Sequence, residues 1–131
     1  DQQFRTLADL HNTAIMGSSM GGLITHYAVV KYPNVFSKAG VFSPSYWASN
    51  ESIDFFASTP SATDARLYFY MGGAEDESMV ADIKKVYQSI LMSGHSTDRT
   101  ILNIVSGAKH NEAAWSIEFA RAVLWLFQPS F

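Results

Sequence analysis

The sequence contains no cysteine, so disulfide bonds, thiol nucleophiles and thiolate metal ligands are excluded. Charge is also scarce: 16% of the residues are charged, against 47% that are hydrophobic. This balance favours a chain with a well-buried core over a disordered segment or a coiled coil. The length of 131 residues suffices for one such core, and we expect a single domain over residues 1–131.

Basic runs and long apolar runs are missing as well. Nine lysines and arginines stand against twelve aspartates and glutamates, which gives a net charge of −3. A chain of this charge is not expected to bind nucleic acid. No apolar run is long enough for a membrane span. We also expect neither a cofactor nor a metal site, because no pattern in the sequence indicates one.

Short apolar runs alternate four times with stretches of helical periodicity. The runs are apolar throughout rather than alternating, which indicates a mainly parallel sheet covered by helices on both faces. We therefore predict a three-layer α/β/α fold. Its strands are expected over Thr13–Met16, Ala39–Phe42, Arg66–Met71 and Thr100–Val105, and its main helices from Ser19 to about Tyr32 and over Glu51–Ser58, Met79–Met92 and Glu112–Phe127.

Helical spacing also predicts which side chains face the core. Phe4, Leu7 and Leu10 indicate a short amphipathic segment over Asp1–His11. In the first long helix the expected apolar face consists of Leu23, Tyr27 and Val30. In the closing helix it consists of Trp115, Phe119, Ala122, Val123 and Leu126.

The pattern Gly-x-Ser-x-Gly occurs once, with Ser19 at its centre, between Gly17 and Gly21. An apolar strand precedes it and a helical stretch follows. In a nucleophile elbow, a serine in this context sits on a sharp strand-to-helix turn with its hydroxyl exposed. The small neighbours let the strand and the helix approach closely, and Gly22 adds room. We predict that Ser19 is a nucleophile; an ordinary glycine-rich turn without chemistry is the alternative.

Three loops that follow predicted strands carry a serine, acids and a histidine. The carboxyl ends of parallel strands meet at one edge of the sheet, so Ser19, the acids at 75–77 and His110 are expected to lie together. Their order along the chain is that of α/β-hydrolases. A serine hydroxyl needs a base to remove its proton, and imidazole titrates near neutrality. His110 is predicted as that base because the other histidines, His11, His26 and His95, follow no strand.

The acid that orients His110 is either Glu75 or Asp76. Both lie just before a predicted helix, where a carboxylate also caps the helix and complements its dipole. The acid nearer the helix is the better capping candidate, which favours Glu75 for the site. The backbone N–H of Met20, at the start of the helix that follows Ser19, is predicted to stabilise an oxyanion.

Aromatic residues flank this group of loops. Tyr46 and Trp47 lie in the loop after the second strand, where they either wall a substrate pocket or anchor the loop in the core. Trp115 lies five residues after His110 and is expected to belong to the core rather than to a pocket.

Several segments resemble the putative-esterase family of α/β-hydrolases, which includes esterase D, feruloyl esterases, siderophore esterases and mycolyltransferases. Gly72–Glu75 is similar to the Gly-x-x-acid segment of that family, and Gly107–Trp115 is similar to its histidine segment. The other matching runs are Arg5–Asp9, Thr13–Gly22, Tyr32–Phe36 and Ser43–Trp47. The resemblance implies an α/β-hydrolase fold with Ser19 as nucleophile, Glu75 as acid and His110 as base.

Members of that family are much longer. Their strands before the nucleophile, and the loop that supplies a second oxyanion N–H, have no counterpart in this sequence. The chain is therefore expected to be a partial, carboxyl-terminal copy of the fold, with the edge of Ala14–Met16 open to a second copy or to the amino-terminal half.

Three functions follow from these observations. The expected one is a serine esterase that hydrolyses a small-molecule carboxylic ester through an acyl-enzyme on Ser19. The first alternative is an acyltransferase with the same three residues. The second alternative is a binding module that keeps the fold without a working site.

Overall fold

The computed structural model describes residues 3–129, which form a four-stranded sheet and four α-helices. The strands are β1 (Ala14–Ser18), β2 (Lys38–Phe42), β3 (Arg66–Gly72) and β4 (Thr100–Val105). The helices are α1 (Met20–Lys31), α2 (Ser52–Ser58), α3 (Glu77–Met92) and α4 (Glu112–Phe127), with short 3-10 turns at Leu10–Asn12 and Tyr46–Ala48. None of the described helices is long and apolar enough to cross a bilayer.

The strands lie in the order β1-β2-β3-β4, and every neighbouring pair is parallel. The register aligns Ser18 with Phe42 and Phe42 with Tyr70, so β1 and β2 end level with each other and β3 extends further, to Gly72. Gly72 and Val105 end β3 and β4 side by side. The loops after all four strands therefore emerge at one edge of the sheet, as the sequence predicts.

Successive residues of β3 enter two different cores. Leu67, Phe69 and Met71 pack with α1, α2 and α3 on one face of the sheet. Tyr68 and Tyr70 pack with α4 on the other face. Strand side chains alternate between the two faces of a sheet, so an apolar run with no polar alternation requires helices on both sides. The predicted three-layer α/β/α architecture is confirmed.

The amphipathic segment predicted over Asp1–His11 is wrong for the part that the structure describes. No α-helix forms between residues 3 and 13, and both Phe4 and Leu7 are exposed. Asp9 instead caps the short 3-10 turn, accepting hydrogen bonds from the His11 N–H and the Asn12 amide. Such local side-chain bonds compete with an α-helix. Asp1 and Gln2 lie outside the described residues.

Two predicted helix faces also need correction. In α1 the buried positions include Thr25, His26 and Val29, whereas Tyr27 is exposed. In α4 Phe119 is 53% exposed while the preceding Glu118 is buried. The burial of Glu118 is stabilised by hydrogen bonds from the Tyr68 hydroxyl and the Asn103 amide.

Burial lowers the pKa of His26 from 6.5 to about 3. The unfolded chain therefore binds a proton near pH 6.5 that the native protein does not bind, and stability is lost as the pH falls below that value. We expect the free energy of unfolding to drop by up to about 1.4 kcal/mol per pH unit between pH 6 and 4 from this group. Urea unfolding of the wild type and of His26→Gln at several pH values measures this dependence. If the free energy of unfolding changed with pH equally in both proteins, His26 would not be its cause.

Candidate active site

Ser19 occupies the turn between β1 and α1 with φ 58° and ψ −119°, a conformation that few non-glycine residues adopt. Its N–H donates to the Phe42 carbonyl over 2.9 Å, which ties the turn to β2. A Cβ on Gly17 would lie 2.5 Å from the Gly21 carbonyl oxygen, and one on Gly22 would lie 2.6 Å from that of Phe42. Gly17 and Gly22 thus permit the close approach, whereas a Cβ on Gly21 would meet no neighbour, contrary to our prediction for Gly21.

The Ser19 hydroxyl has two hydrogen-bond partners. His110 Nε2 lies 2.9 Å from Ser19 Oγ, although 91 residues separate them in sequence. Ser45 Oγ lies 3.2 Å from the same oxygen, and the Ser45 N–H donates to the Ser19 carbonyl over 3.1 Å. The loop after β2 therefore supports the nucleophile turn through both its backbone and the Ser45 side chain.

His110 lies between Ser19 and Glu75, in the loop between β4 and α4. Its Nδ1 is 2.7 Å from Glu75 Oε2. The Glu75 side chain is fully buried, whereas the His110 ring is 36% exposed. A carboxylate accepts but does not donate hydrogen bonds, so Nδ1 carries the proton and Nε2 is free to accept the one on Ser19.

Asp76 is directed elsewhere. Its carboxylate accepts hydrogen bonds from the N–H of Ser78 over 2.8 Å and from the Ser78 hydroxyl over 2.5 Å, at the start of α3. The Ser78 hydroxyl is the main cause that lowers the Asp76 pKa, with the backbone N–H adding to it. Of the two candidate acids, Glu75 contacts His110 and Asp76 caps the helix.

Met20 is the first residue of α1, directly after Ser19. The first N–H groups of a helix have no acceptor within the helix, and the helix dipole is positive there. The Met20 N–H is therefore free of the intrahelical ladder, as an oxyanion donor must be.

Tyr46 and Trp47 have different environments. Tyr46 is 1% exposed, and its hydroxyl lies 2.9 Å from His26 Nδ1. Burial, with a smaller contribution from the Asp82 charge, raises its pKa well above the usual range. Of the two roles that the sequence leaves open for Tyr46, its enclosure by core residues favours the anchor of the loop over the wall of a pocket. Trp47 is 63% exposed and remains available for that role.

Two serines of the site, Ser43 and Ser45, have no role predicted from the sequence. Ser43 is fully buried and donates from its hydroxyl to Glu75 Oε1 over 2.5 Å. Ser45 contacts the nucleophile, and the Gly72 N–H donates to Glu75 Oε1 over 2.9 Å. Trp115 donates from Nε1 to Ser43 and packs edge-on against His110, so it belongs to the site as well as to the core.

An apolar groove of about 440 Å³ begins beside Met20. It lies between α1 and α2 and is lined mainly by Met20, Leu23, Ile24, Tyr27, Phe55 and Phe56. Between residues 3 and 129 there is no cluster of three or more His, Asp or Glu side chains that would hold a metal ion.

Solved structures with this fold include several esterases. The enterobactin esterase FES of Shigella flexneri, crystallised with 2,3-di-hydroxy-N-benzoyl-glycine, has a TM-score of 0.81 at 19% identity, over 95% of this chain and 34% of its own. S-formylglutathione hydrolase (FrmB) of Staphylococcus aureus has a TM-score of 0.71 at 18% identity, over 95% of this chain and 55% of its own. A feruloyl esterase module from Clostridium thermocellum has a TM-score of 0.62 at 18% identity, over 88% of this chain and 44% of its own. At such identities the likeness concerns the fold alone, which is that of α/β-hydrolases.

The uncharacterized protein YbbA of Bacillus subtilis strain 168 is 31% identical over 134 residues. The match covers 97% of this chain and 54% of YbbA, so the chain spans about half the length of this relative. The model of a family described as "Esterase: Putative esterase" matches residues 1–126. With nearly every residue inside that match, the chain belongs to the putative-esterase family.

Proposed function

We propose that the protein is a serine esterase, which hydrolyses a carboxylic ester through an acyl-enzyme on Ser19. The observation that carries this proposal is the continuous set of contacts from Ser19 Oγ to His110 Nε2, over 2.9 Å, and from His110 Nδ1 to Glu75 Oε2, over 2.7 Å. A nucleophile, a base and an acid in hydrogen-bond contact are the arrangement that acyl transfer to serine requires. Membership of an esterase family supports the same class of reaction.

In the first half of the reaction, His110 Nε2 accepts the proton of the Ser19 hydroxyl as Ser19 Oγ attacks the ester carbonyl carbon. The tetrahedral intermediate collapses, the bond to the alcohol oxygen breaks, and His110 returns the proton to that oxygen. Water then attacks the acyl-enzyme with His110 as base again, releasing the acid and restoring Ser19.

Glu75 and Met20 stabilise charge that develops during these steps. Glu75 holds the imidazole with its proton on Nδ1 and stabilises the imidazolium that forms. The Met20 N–H donates to the oxyanion of the tetrahedral intermediate. A second oxyanion donor comes from outside this chain in this proposal. The apolar groove beside Met20 favours an apolar acyl or alcohol portion of the substrate.

The test is hydrolysis of an activated aryl ester followed from the first turnover. We expect a burst of aryl alcohol equal to the concentration of protein, blocked by prior treatment with a serine-reactive phosphonate. Adding a competing alcohol distinguishes an acyltransferase, which would form a new ester in place of the free acid. Absence of both burst and phosphonate labelling would leave the fold as a binding module and contradict the proposal.

We also propose that the free edge of β1 pairs with another strand, from a second copy or from the amino-terminal half of a longer protein. Among the described residues β1 pairs with β2 alone. All of β1 is only half-buried, whereas β3 is buried from Leu67 to Gly72. An open apolar edge is a template for pairing with another chain. The match to about half of YbbA supports the same proposal.

The isolated chain is therefore expected to self-associate and to be a poor catalyst. One missing oxyanion donor typically lowers kcat by about 10² to 10³. Size-exclusion chromatography over a range of concentrations, with aryl-ester hydrolysis measured on each fraction, checks both expectations. A monodisperse monomer as active as a full-length relative would contradict them.

A further inference from the structure

A second chain of hydrogen bonds reaches Glu75 at Oε1, the oxygen that does not contact His110. Trp115 Nε1 donates to Ser43 Oγ over 3.0 Å. Ser43 Oγ in turn donates to Glu75 Oε1 over 2.5 Å. The three residues come from α4 and from the loops after β2 and β3, so the contacts join three separate parts of the fold.

The direction of these hydrogen bonds is determined by the groups themselves. An indole N–H donates and never accepts, and a carboxylate accepts and never donates. The single hydroxyl proton of Ser43 must therefore point to Glu75, while its oxygen accepts the proton from Trp115. No other orientation of the Ser43 hydroxyl satisfies both the indole N–H and the carboxylate.

The consequence for Glu75 is that its two oxygens have different partners. Oε1 accepts from the Ser43 hydroxyl and from the Gly72 N–H, over 2.5 and 2.9 Å. Oε2 faces His110 Nδ1 at 2.7 Å. Two donors on Oε1 fix the plane of the carboxylate and direct Oε2 to the imidazole. A Cβ on Gly72 would overlap the Ala108 carbonyl oxygen and lie 2.9 Å from Oε1, so this position requires a glycine.

Ser43 adopts a backbone conformation that costs energy for any residue but glycine. Its φ is 42°, and its N–H donates to the Tyr70 carbonyl over 2.8 Å. Strain of this kind persists where the surroundings require that residue, and it occurs often at functional sites. The Trp115 ring also meets the His110 ring edge-on, with centroids 4.9 Å apart. Trp115 therefore contacts the base directly and the acid through Ser43.

We propose that Ser43 and Trp115 are positioning residues that set the orientation of Glu75 and His110. This inference rests on the proposed esterase function, because it assigns them a role in the same site. If Trp115 were only a core side chain, its N–H would contribute nothing to the reactivity of Ser19. If Ser43 were only a turn residue, glycine would replace it without loss.

The experiment measures the rate at which a fluorophosphonate labels Ser19 in the 131-residue chain. We expect Ser43→Ala to slow labelling about 10- to 100-fold. Trp115→Phe keeps an aromatic ring beside His110 but removes the indole N–H, and it should slow labelling about 3- to 10-fold. The double variant should label no more slowly than Ser43→Ala, because the indole N–H acts through the serine. Ser43→Gly removes the hydroxyl and relieves the positive φ, so its slow labelling would not reflect loss of the fold.

Two variants serve as matched controls. Ser37→Ala removes a buried hydroxyl that donates to the Leu10 carbonyl at the amino ends of the strands. Trp125→Phe changes a tryptophan of the same helix that packs on Tyr68. Both should label at the wild-type rate. Additive losses of labelling rate in the double variant, or a Ser43→Gly variant that labels as fast as wild type, would overturn the positioning role of Ser43 and Trp115. Either result would leave the esterase proposal intact.

A second readout does not depend on Ser19 reacting. In the NMR spectrum of the wild-type chain, the His110 Nδ1 proton is expected at low field because of its short bond to Glu75. Ser43→Ala and Ser43→Gly should move this resonance upfield or broaden it, and the two controls should not. Failure of wild-type Ser19 to label would contradict the proposed function alone; an unchanged resonance in both Ser43 variants would overturn the positioning role.

Discussion

Replacement of Ser19 by alanine is expected to remove ester hydrolysis and phosphonate labelling together. The hydroxyl is the group placed 2.9 Å from His110 Nε2, and no acyl-enzyme forms without it. In serine hydrolases this loss reaches about 10⁶-fold in kcat, with residual rate coming from binding and the oxyanion hole. Burst and steady-state hydrolysis of an aryl ester by wild type and variant at equal folded concentration measure it.

Ser18→Ala is the matched control for this change. Ser18 is the last residue of β1, and it lines a cavity with Met16 and Trp115 on the α4 side of the sheet. It carries the same functional group one residue away, so we expect hydrolysis within a few-fold of wild type. An inactive Ser18 variant beside an active Ser19 variant would mean that the nucleophile has been misassigned.

Glu75→Gln is expected to have the second largest effect, a loss of about 10⁴-fold in kcat with the fold intact. Glutamine has nearly the same shape, but its amide donates where the carboxylate accepts. It therefore favours the imidazole tautomer with the proton on Nε2, which cannot accept the proton of Ser19. Parallel kcat measurements and thermal unfolding separate the catalytic effect from any change in stability.

Asp76→Asn distinguishes the two acids of the same loop. Asp76 caps α3 through Ser78, so its replacement should change stability by at most about 1 kcal/mol and leave kcat nearly unchanged. A larger loss of kcat in this variant than in Glu75→Gln would show that Asp76, and not Glu75, orients His110. Full activity in both variants would indicate a serine–histidine dyad.

The fold could be predicted from the sequence because its signals are local. Each strand is an apolar run, and β4 and α4 have the bounds that the sequence predicts. The membership of the putative-esterase family is confirmed by the family match over residues 1–126. The elbow around Ser19 and the order of the three loops predict which groups meet at the sheet edge, although their catalytic roles remain proposals.

The predictions that failed depend on contacts between distant residues. Helical spacing at Phe4 and Leu7 indicates an amphipathic segment, but nothing in the described structure covers it and both side chains are exposed. The same spacing places Phe119 inward, while Glu118 is buried instead because Tyr68 and Asn103 pair with its carboxylate.

Residues of the site that the sequence did not reveal share one property. Ser43 and Ser45 are serines in a loop, a residue type common in any turn. Only the register of β2 beside β1 and β3 brings one of them to Glu75 and the other to Ser19. Tyr46 lies in the same loop, but its side chain is buried in the core, where its hydroxyl pairs with buried His26.

The most direct test of the central claim is to identify the residue that a fluorophosphonate modifies. The protein is labelled, digested and analysed by tandem mass spectrometry, with heat-unfolded protein as the control for nonspecific reaction. We predict a single adduct on Ser19 that requires the folded protein and disappears in His110→Ala. An adduct on Ser18, Ser43 or Ser45, or an ester-hydrolysing protein that forms no adduct, would contradict it.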